Sequence, residues 1–592
     1  MTEPPFRRIL VANRGEIAIR VMRSAKELGC ETVAVYSEAD RGALHVRYAD
    51  SAYLLGPAAP AQSYLHAERL LEVAARAEAD AIHPGYGFFA ENASFARRVI
   101  AAGMTWIGPH PDAIDAMGDK IRARAAMVAA GVPVVPGGSA AIADAEDAAA
   151  AARTYGLPLA LKASGGGGGK GLKIAHSIDE LAAAFSTAQR EATAYFGNPA
   201  IYVERYLENP KHIELQIVAD KHGHIAHVGE RDCSLQRRHQ KVWEEAPPQL
   251  PEAVRAGLRA AGLQAARAIA YDSVGTIEYL VSGDAFYFLE MNTRIQVEHT
   301  VSEEISGIDL VREQILVAAG RPLSFSQADV QLRGHAIEVR VNAEDPAAGF
   351  RPAPGTLSAY HEPGGFGVRV DSAAYPGFTI TPDYDSLIAK LIVRGRTRDE
   401  ALARLGRAID EYVIAGVPTT LPMLRALIDY PPVIDASYGT ATLEPFAATL
   451  GGAAANGAAA SSLVPDAGDE ATIQVEVDGR LFRVRFVDLP FARPANGTAA
   501  ASKPAAKARP ARASAVPAGD DVLAPMHGVV VEIPVAAGSV VNAGDVVAVI
   551  EAMKMMNEIH AHKAGTVEAV RVVAGDTVEA RTPLLAIRSA AT

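Results

Sequence analysis

Two carboxylates in neighbouring apolar runs are the first residues whose types and spacing suggest chemistry. VGTIEYLV (274–281) and AFYFLEMN (285–292) flank Ser282-Gly283-Asp284, a tight-turn signal. In a simple hairpin Glu278 falls opposite Glu290 or one residue from it, and Asn292, two beyond Glu290, shares the face of Glu290. Directly paired Cβ atoms lie about 4.5–5.5 Å apart. Two carboxylates that close, in strands this apolar, repel unless a cation joins them or one keeps its proton. Hard oxygen ligands of this kind suit Mg2+ bridging phosphates.

Three other stretches stand out. SGGGGGKG (164–171), with Gly167, Gly168 and Gly169 at its centre, is too glycine-dense for a helix or strand. Its backbone N–H groups can close on phosphate oxygens without side-chain obstruction. It is not a P-loop, because Leu172 stands where Ser or Thr is expected, and its place between LPLALK and LKIAH predicts a hairpin tip. ERDCSLQRRHQKVWEEAP (230–247) packs Arg, Gln, His and Lys too densely for a bland surface loop. Finally, EAMKMMNEIH (551–560) places Lys554 among Met553, Met555 and Met556 on an expected exposed turn, and exposed apolar side chains at a loop mark recognition.

The elements that must position these groups follow from periodicity. RRILVAN, RGEIAIRVMRSAKELG and ETVAVYSE read as strand, amphipathic helix and strand, and the pattern recurs through ADAIHPGYG and MTWIGP. This predicts a parallel, doubly wound first domain; with no G-x-G-x-x-G after the first strand, a dinucleotide site is not indicated. Strands and helices alternate to about residue 450. Then 451–470 and 491–520 read as linkers around TIQVEVDGRLFRVRFVD (472–488), a hairpin signature at Asp478-Gly479. The last 70 or so residues hold an internal repeat: Gly528, Val535, Gly538, Val541 and Ile550 recur as Gly565, Val572, Gly575, Val578 and Ile587. Two β-rich halves predict a pseudo-twofold sandwich or flattened barrel with Lys554 at the joint.

Composition narrows the function. The 592 residues suggest about four domains at roughly 150 residues each. A net charge of −12 argues against a non-specific nucleic-acid binder. Two cysteines, Cys30 and Cys233, exclude a disulfide framework and a cysteine-built zinc site. With neither a signal-peptide stretch nor an apolar run of about 18 residues, the chain reads as soluble and cytoplasmic, with no membrane partner.

The Ala-Met-Lys-Met stretch at 552–555 in its symmetric small domain resembles a biotin carboxyl carrier domain; methionine on both sides of the lysine favours biotin over lipoate. Residues 7–445 resemble biotin carboxylase, an ATP-grasp ligase. Together they resemble the α subunit of an acyl-CoA carboxylase. The resemblance implies an α/β fold: a doubly wound domain (1–119), an ATP-grasp domain with a mobile glycine-rich lid (120–325), a carboxylase C-terminal domain (326–450), a linker with a possible docking hairpin (451–520) and an all-β biotinyl flattened barrel-sandwich (521–592). It implies ATP, Mg2+ (or Mn2+) and biotin on Lys554 as cofactors. Glu278, Glu290 and Asn292 match its metal ligands. Lys120, Lys162, the glycine loop, Glu204, Leu207, His212, Gln236 and His239 match nucleotide-site positions. Lys241 and Arg294 would hold bicarbonate, Gln296 and Val297 match positions beside it, Glu298 would be the general base, and Arg340 would stabilise the enolate of biotin.

The implied reaction is ATP-dependent carboxylation of biotin through carboxyphosphate, with carboxybiotin on Lys554 passing to a carboxyltransferase. About 70 unassigned residues are too few for that enzyme, so a separate carboxyltransferase β subunit serving acetyl-CoA or propionyl-CoA is expected. A biotin protein ligase is the other implied partner, and the chain is expected to form a homo-oligomer inside a larger holoenzyme. A two-subunit pyruvate carboxylase is the alternative. Another ATP-grasp ligase and an inactive nucleotide fold are the more distant readings.

Overall fold

A computed structural model describes residues 3–138, 140–164, 171–237, 240–453, 472–477, 480–485, 520–525, 528–552, 555–579 and 581–588. The chain falls into two compact units, Met1–Ala455 and Asn456–Thr592.

The first unit opens with a five-stranded parallel sheet: β1 (Arg8–Val11), β2 (Glu31–Ser37), β3 (Ser51–Gly56), β4 (Ala81–His83) and β5 (Thr105–Trp106), in the order β3-β2-β1-β4-β5. The order reverses direction at β1, so the domain is doubly wound as expected. β1 is a continuous apolar run because a parallel strand is covered on both faces; Ile9, Leu10 and Val11 are fully buried. The helix Gly15–Glu27 turns Ile17, Ala18, Val21, Met22 and Ala25 into the same core, the spacing of one helical face.

A small antiparallel sheet follows, β7-β6-β8, from β6 (Leu159–Ala163), β7 (Leu172–Ala175) and β8 (Ile201–Arg205). The LPLALK and LKIAH runs thus pair as the glycine stretch between them suggests; Gly167, Gly168 and Gly169 lie outside the described residues.

The central element is an eight-stranded sheet in which every pairing is antiparallel. In spatial order it runs β13 (Ala285–Asn292), β12 (Val274–Ser282), β9 (Lys211–Ala219), β10 (Ile225–Arg237), β11 (Gln240–Ala246), β14 (His335–Asn342), Leu387–Gly395 and Val368–Ser372. It runs without interruption across the division expected at residue 326, because Trp243 pairs with Val339 and Glu244 with Glu338. One face packs on the helix Glu252–Ala268 through Leu215, Ile277 and Tyr279. The helix Leu443–Ala453 runs three residues into the stretch that composition marks as linker; the linker segments 454–471 and 486–519 lie outside the described residues.

In the second unit, Thr472–Val477 and Arg480–Arg485 pair as an antiparallel hairpin. Residues 520–588 form two four-stranded sheets. Each strand of one has its counterpart in the other at the offset of the sequence repeat: Gly528–Glu532 answers Gly565–Val570, and Val546–Ala552 answers Pro583–Arg588. The pairings obey the same twofold, Gly528 with Val578 and Gly565 with Val541. The repeated glycines have a cause in each pair: a Cβ on Gly528 would strike the carbonyl oxygen of Glu551 and one on Gly565 that of Arg588, while Gly538 and Gly575 hold φ at +91° and +97°. Lys554 lies outside the described residues.

Candidate active site

Four sheet partners in register make one row: Glu290 opposite Glu278, Glu278 opposite Glu214, Glu214 opposite Arg231. The hairpin of β12 and β13 closes at Ser282 and Ala285, with Gly283 at φ +60°, and a one-residue bulge between Phe288 and Glu290 then puts the two carboxylates directly opposite. On β9, His212, Glu214 and Gln216 alternate with Ile213, Leu215 and Ile217, so the face opposite the apolar core is polar.

Lys241, on β11, is the hub. Its ammonium bonds Glu298 Oε1 at 2.7 Å, Glu278 Oε1 at 3.1 Å and a carboxylate oxygen of Glu214. Burial alone would lower the Lys241 pKa, but Glu214, Glu278 and Glu298 reverse this and hold it well above its ordinary value. Glu298 is gripped from both sides, by Lys241 on Oε1 and by Arg340 Nη2 on Oε2 at 2.9 Å. Burial pushes its carboxyl up; Lys241, Arg340 and Arg231 outweigh that and keep it well below the ordinary range. An anionic carboxylate between two cations can accept a proton.

Glu278 is equally enclosed. It accepts from Asn292 Nδ2 at 2.8 Å and Gln296 Nε2 at 2.7 Å, and His212 Nε2 lies 3.0 Å from its Oε2. Burial would neutralise His212, but Glu278 raises its pKa instead. Glu290 pairs with Lys120 at 2.9 Å, at the start of the helix Lys120–Ala129. The two carboxylates that sequence pairs as metal ligands are thus each held by an ammonium group. Carboxylate and amide oxygens at Glu278, Glu290 and Asn292 suit a hard divalent cation, and two anions in direct register are the charge such an ion would neutralise. Two other ligand-like clusters, His212–Glu214–Glu278 and Glu214–Cys233–Glu298, share their glutamates with the Lys241 ammonium; a cation already sits among them.

Arg294 Nε donates to Glu91 Oε2 at 2.9 Å and Nη2 to Asn292 Oδ1 at 2.9 Å, so Asn292 links it to the Glu278 group. Gln296 joins Glu278 to Arg231, accepting from the latter at 2.8 Å. The Val297 carbonyl accepts from Lys390 at 2.8 Å. Lys162 and Arg124 both grip Glu204, at 2.5 and 2.8 Å. Leu207 is half-buried beyond β8. Gln236 is buried opposite Lys241. His239 lies outside the described residues.

Sequence reasoning overlooked Glu214, Arg231, Glu91, Arg124, Glu244 and Lys390. Arg231 is fully buried and bonds Glu214, Gln216, Thr276, Gln296 and Ser302. Lys390 is fully buried too. The signal for Glu214 was present: polar residues alternating with apolar ones in a strand whose apolar half faces a core.

This combination defines a carboxylate- and ammonium-lined centre on an antiparallel sheet. Residues 5–114 match the family described as "Biotin carboxylase, N-terminal domain", 119–326 "Carbamoyl-phosphate synthase L chain, ATP binding domain", 338–445 "Biotin carboxylase C-terminal domain" and 520–587 "Biotin-requiring enzyme". The chain is similar to the biotin-dependent acyl-coenzyme A carboxylase alpha3 subunit of Mycobacterium leprae, 44% identical over 98% of both chains. It is similar to a pyruvate carboxylase subunit of Methanothermobacter thermautotrophicus, 53% identical over 72% of this chain and 86% of that one. The biotin carboxylase domain of Hydrogenobacter thermophilus 2-oxoglutarate carboxylase, solved with MgADP, ADP and bicarbonate, superposes with a TM-score of 0.73 at 47% identity, over 75% of this chain and 98% of that one. The chain belongs to the biotin carboxylase family, with a C-terminal biotinyl domain.

Proposed function

We propose that this chain carboxylates biotin at the expense of ATP and serves as the α subunit of an acyl-CoA carboxylase. The observation that carries the first half is the placing of Glu298 between Lys241 and Arg340. Glu298 takes the proton of bicarbonate, Lys241 and Arg294 hold the resulting anion, and Arg340 offers positive potential to the enolate of biotin. Glu278, Glu290 and Asn292 would hold Mg2+, which supplies charge neutralisation at the nucleotide phosphates. Lys120, Lys162, the glycine loop, Glu204, Leu207, His212, Gln236 and His239 line the nucleotide site in this reading, and Gln296 and Val297 lie beside bicarbonate. Biotin on Lys554 supplies the nitrogen that accepts the carboxyl group. The domains divide at 119, 325, 450 and 520.

The acyl-CoA assignment rests on the M. leprae protein, which is matched end to end, linker and carrier domain included. The higher identity to a pyruvate carboxylase subunit, over 72% of the chain, favours the second reading, in which pyruvate is the acceptor. The test has two arms. ADP release from the purified chain with Mg2+ should require bicarbonate and rise with free biotin; turnover indifferent to both would sink the carboxylase reading. Adding a CoA-type carboxyltransferase with acetyl-CoA or propionyl-CoA should then give labelled malonyl- or methylmalonyl-CoA from labelled bicarbonate. Labelled oxaloacetate, formed only with a pyruvate-type partner, would replace the acyl-CoA assignment.

A further inference from the structure

Behind Arg340 two glutamates oppose each other. Glu244 on β11 and Glu338 on β14 are register partners, both fully buried. Glu244 Oε1 accepts from Arg340 Nε at 2.7 Å, and Glu338 Oε2 accepts from the Thr300 hydroxyl. The other oxygen of each, Glu244 Oε2 and Glu338 Oε1, is buried and has no hydrogen-bond partner. A bare buried carboxylate oxygen is costly, and two opposed across adjacent strands add repulsion.

One proton removes both costs. Carried as O–H by one carboxyl and accepted by the other, it satisfies both bare oxygens and halves the charge, as in other buried carboxylate dyads. We propose that Glu244 and Glu338 share a single proton and act as positioning residues, fixing Arg340 against Glu298 and holding Thr300 at the start of the helix His299–Ser306. The charged groups facing Glu244 are Arg340, Glu298 and Lys241; those facing Glu338 are Lys390, Glu244 and Arg340. Burial raises both carboxyls against the pull of these cations, Glu244 to about 7 and Glu338 well above its ordinary value. With one negative charge behind it instead of two, Arg340 keeps positive potential for a reacting anion. That consequence rests on the carboxylase reading; the shared proton does not.

Infrared spectra of the full-length protein at neutral pH decide the matter without turnover. The wild-type-minus-variant spectrum should show one protonated-carboxyl C=O band, sensitive to D2O, and Glu244→Gln and Glu338→Gln should each remove that same band. Loss of no band, or of two separate bands, overturns the shared proton. In kinetics, Glu244→Leu should lower kcat of bicarbonate-dependent ADP release about 100-fold with KM for MgATP unchanged, and Glu244→Gln should recover at least about tenfold of that loss. Equal loss in Gln and Leu variants that melt like wild type would overturn the positioning role. If the Leu variant does not fold, the infrared comparison of the two Gln variants still decides. Wild-type protein lacking bicarbonate-dependent turnover, yet showing the band, would fail the carboxylase reading alone.

Discussion

At the scale of single residues, Glu298 is an anion kept charged by its neighbours, which suits it to the proposed role of base. Burial would protonate it; Lys241, Arg340 and Arg231 overcome burial. Because the folded pKa is depressed, the charged form persists on acidification until well below the ordinary carboxylate range. The acid limb of the bicarbonate-dependent rate therefore does not report Glu298. Glu298→Gln removes the base but keeps its shape; kcat should fall by about 100-fold or more with KM for MgATP little changed, which steady-state ADP release would check. A variant with wild-type kcat would dismiss Glu298 as base. Glu245, next to Glu244, shows the same physics used for stability. Burial raises its carboxyl, but His335 at 3.0 Å, Arg398 at 2.9 Å and the Tyr438 hydroxyl lower it to about 2. A group depressed from 4.5 to about 2 stabilises the fold above the unfolded pKa and loses that contribution as pH falls toward 2. Glu245→Gln should cost on the order of 3 kcal/mol at pH 7, and the gap from wild type in denaturant melts should close on acidification.

Elements convert sequence spacing into these contacts. The β12–β13 hairpin closes on a two-residue turn, Gly283-Asp284, whose register by itself would set Glu278 opposite Leu289; a one-residue bulge between Phe288 and Glu290 shifts the pairing and sets Glu278 opposite Glu290. A one-residue slip would send every side chain of one strand to the other face. In the biotinyl domain the same economy appears as symmetry: within each half two strands approach so closely, at Gly528 beside Glu551 and at Gly565 beside Arg588, that neither position has room for a Cβ. Gly565→Val should therefore prevent that domain from folding and abolish biotin attachment in a streptavidin blot of the full-length chain, while bicarbonate-dependent ADP release with free biotin survives. Biotinylation at the wild-type level would show that the backbone there can give way.

For the whole molecule the question is how a fixed active site and a separate carrier cooperate. Thirty residues at 491–520, rich in Pro, Ala and basic side chains, lie between the hairpin 472–485 and the biotinyl domain. We propose that this segment serves as a tether: thirty residues without regular structure would span on the order of 30 Å and raise local concentration without fixing geometry. Removing about half of it should lower the coupled reaction with the carboxyltransferase several-fold and spare carboxylation of free biotin; equal loss of both would refute the tether. The hairpin Thr472–Val477/Arg480–Arg485 is too small to be stable alone. Deleting it should abolish co-purification of the carboxyltransferase partner, and retention of that partner would remove the docking role.

Much of this was legible in the sequence, for local reasons. Strand and helix periodicity gave the doubly wound sheet, the 37-residue offset between Gly528 and Gly565 gave the twofold of the carrier domain, and a tight turn between apolar runs brought Glu278 and Glu290 to within one residue of opposition, the last residue being supplied by a bulge. These depend on neighbours within a few tens of residues, so the pattern is written where the structure is. Tertiary structure decided the partnerships of charge. Arg231 meets Gln296 across 65 residues, Arg340 meets Glu244 across 96, and Arg20 meets Glu303 across 283. Strand order in the eight-stranded sheet brings the second pair together, on neighbouring β11 and β14, and strand order has no local signature. A buried ionisable residue takes its charge state from whatever the fold sets beside it, so the sequence determined which groups could do the chemistry, and only the folded sheet determined which of them are charged and against whom.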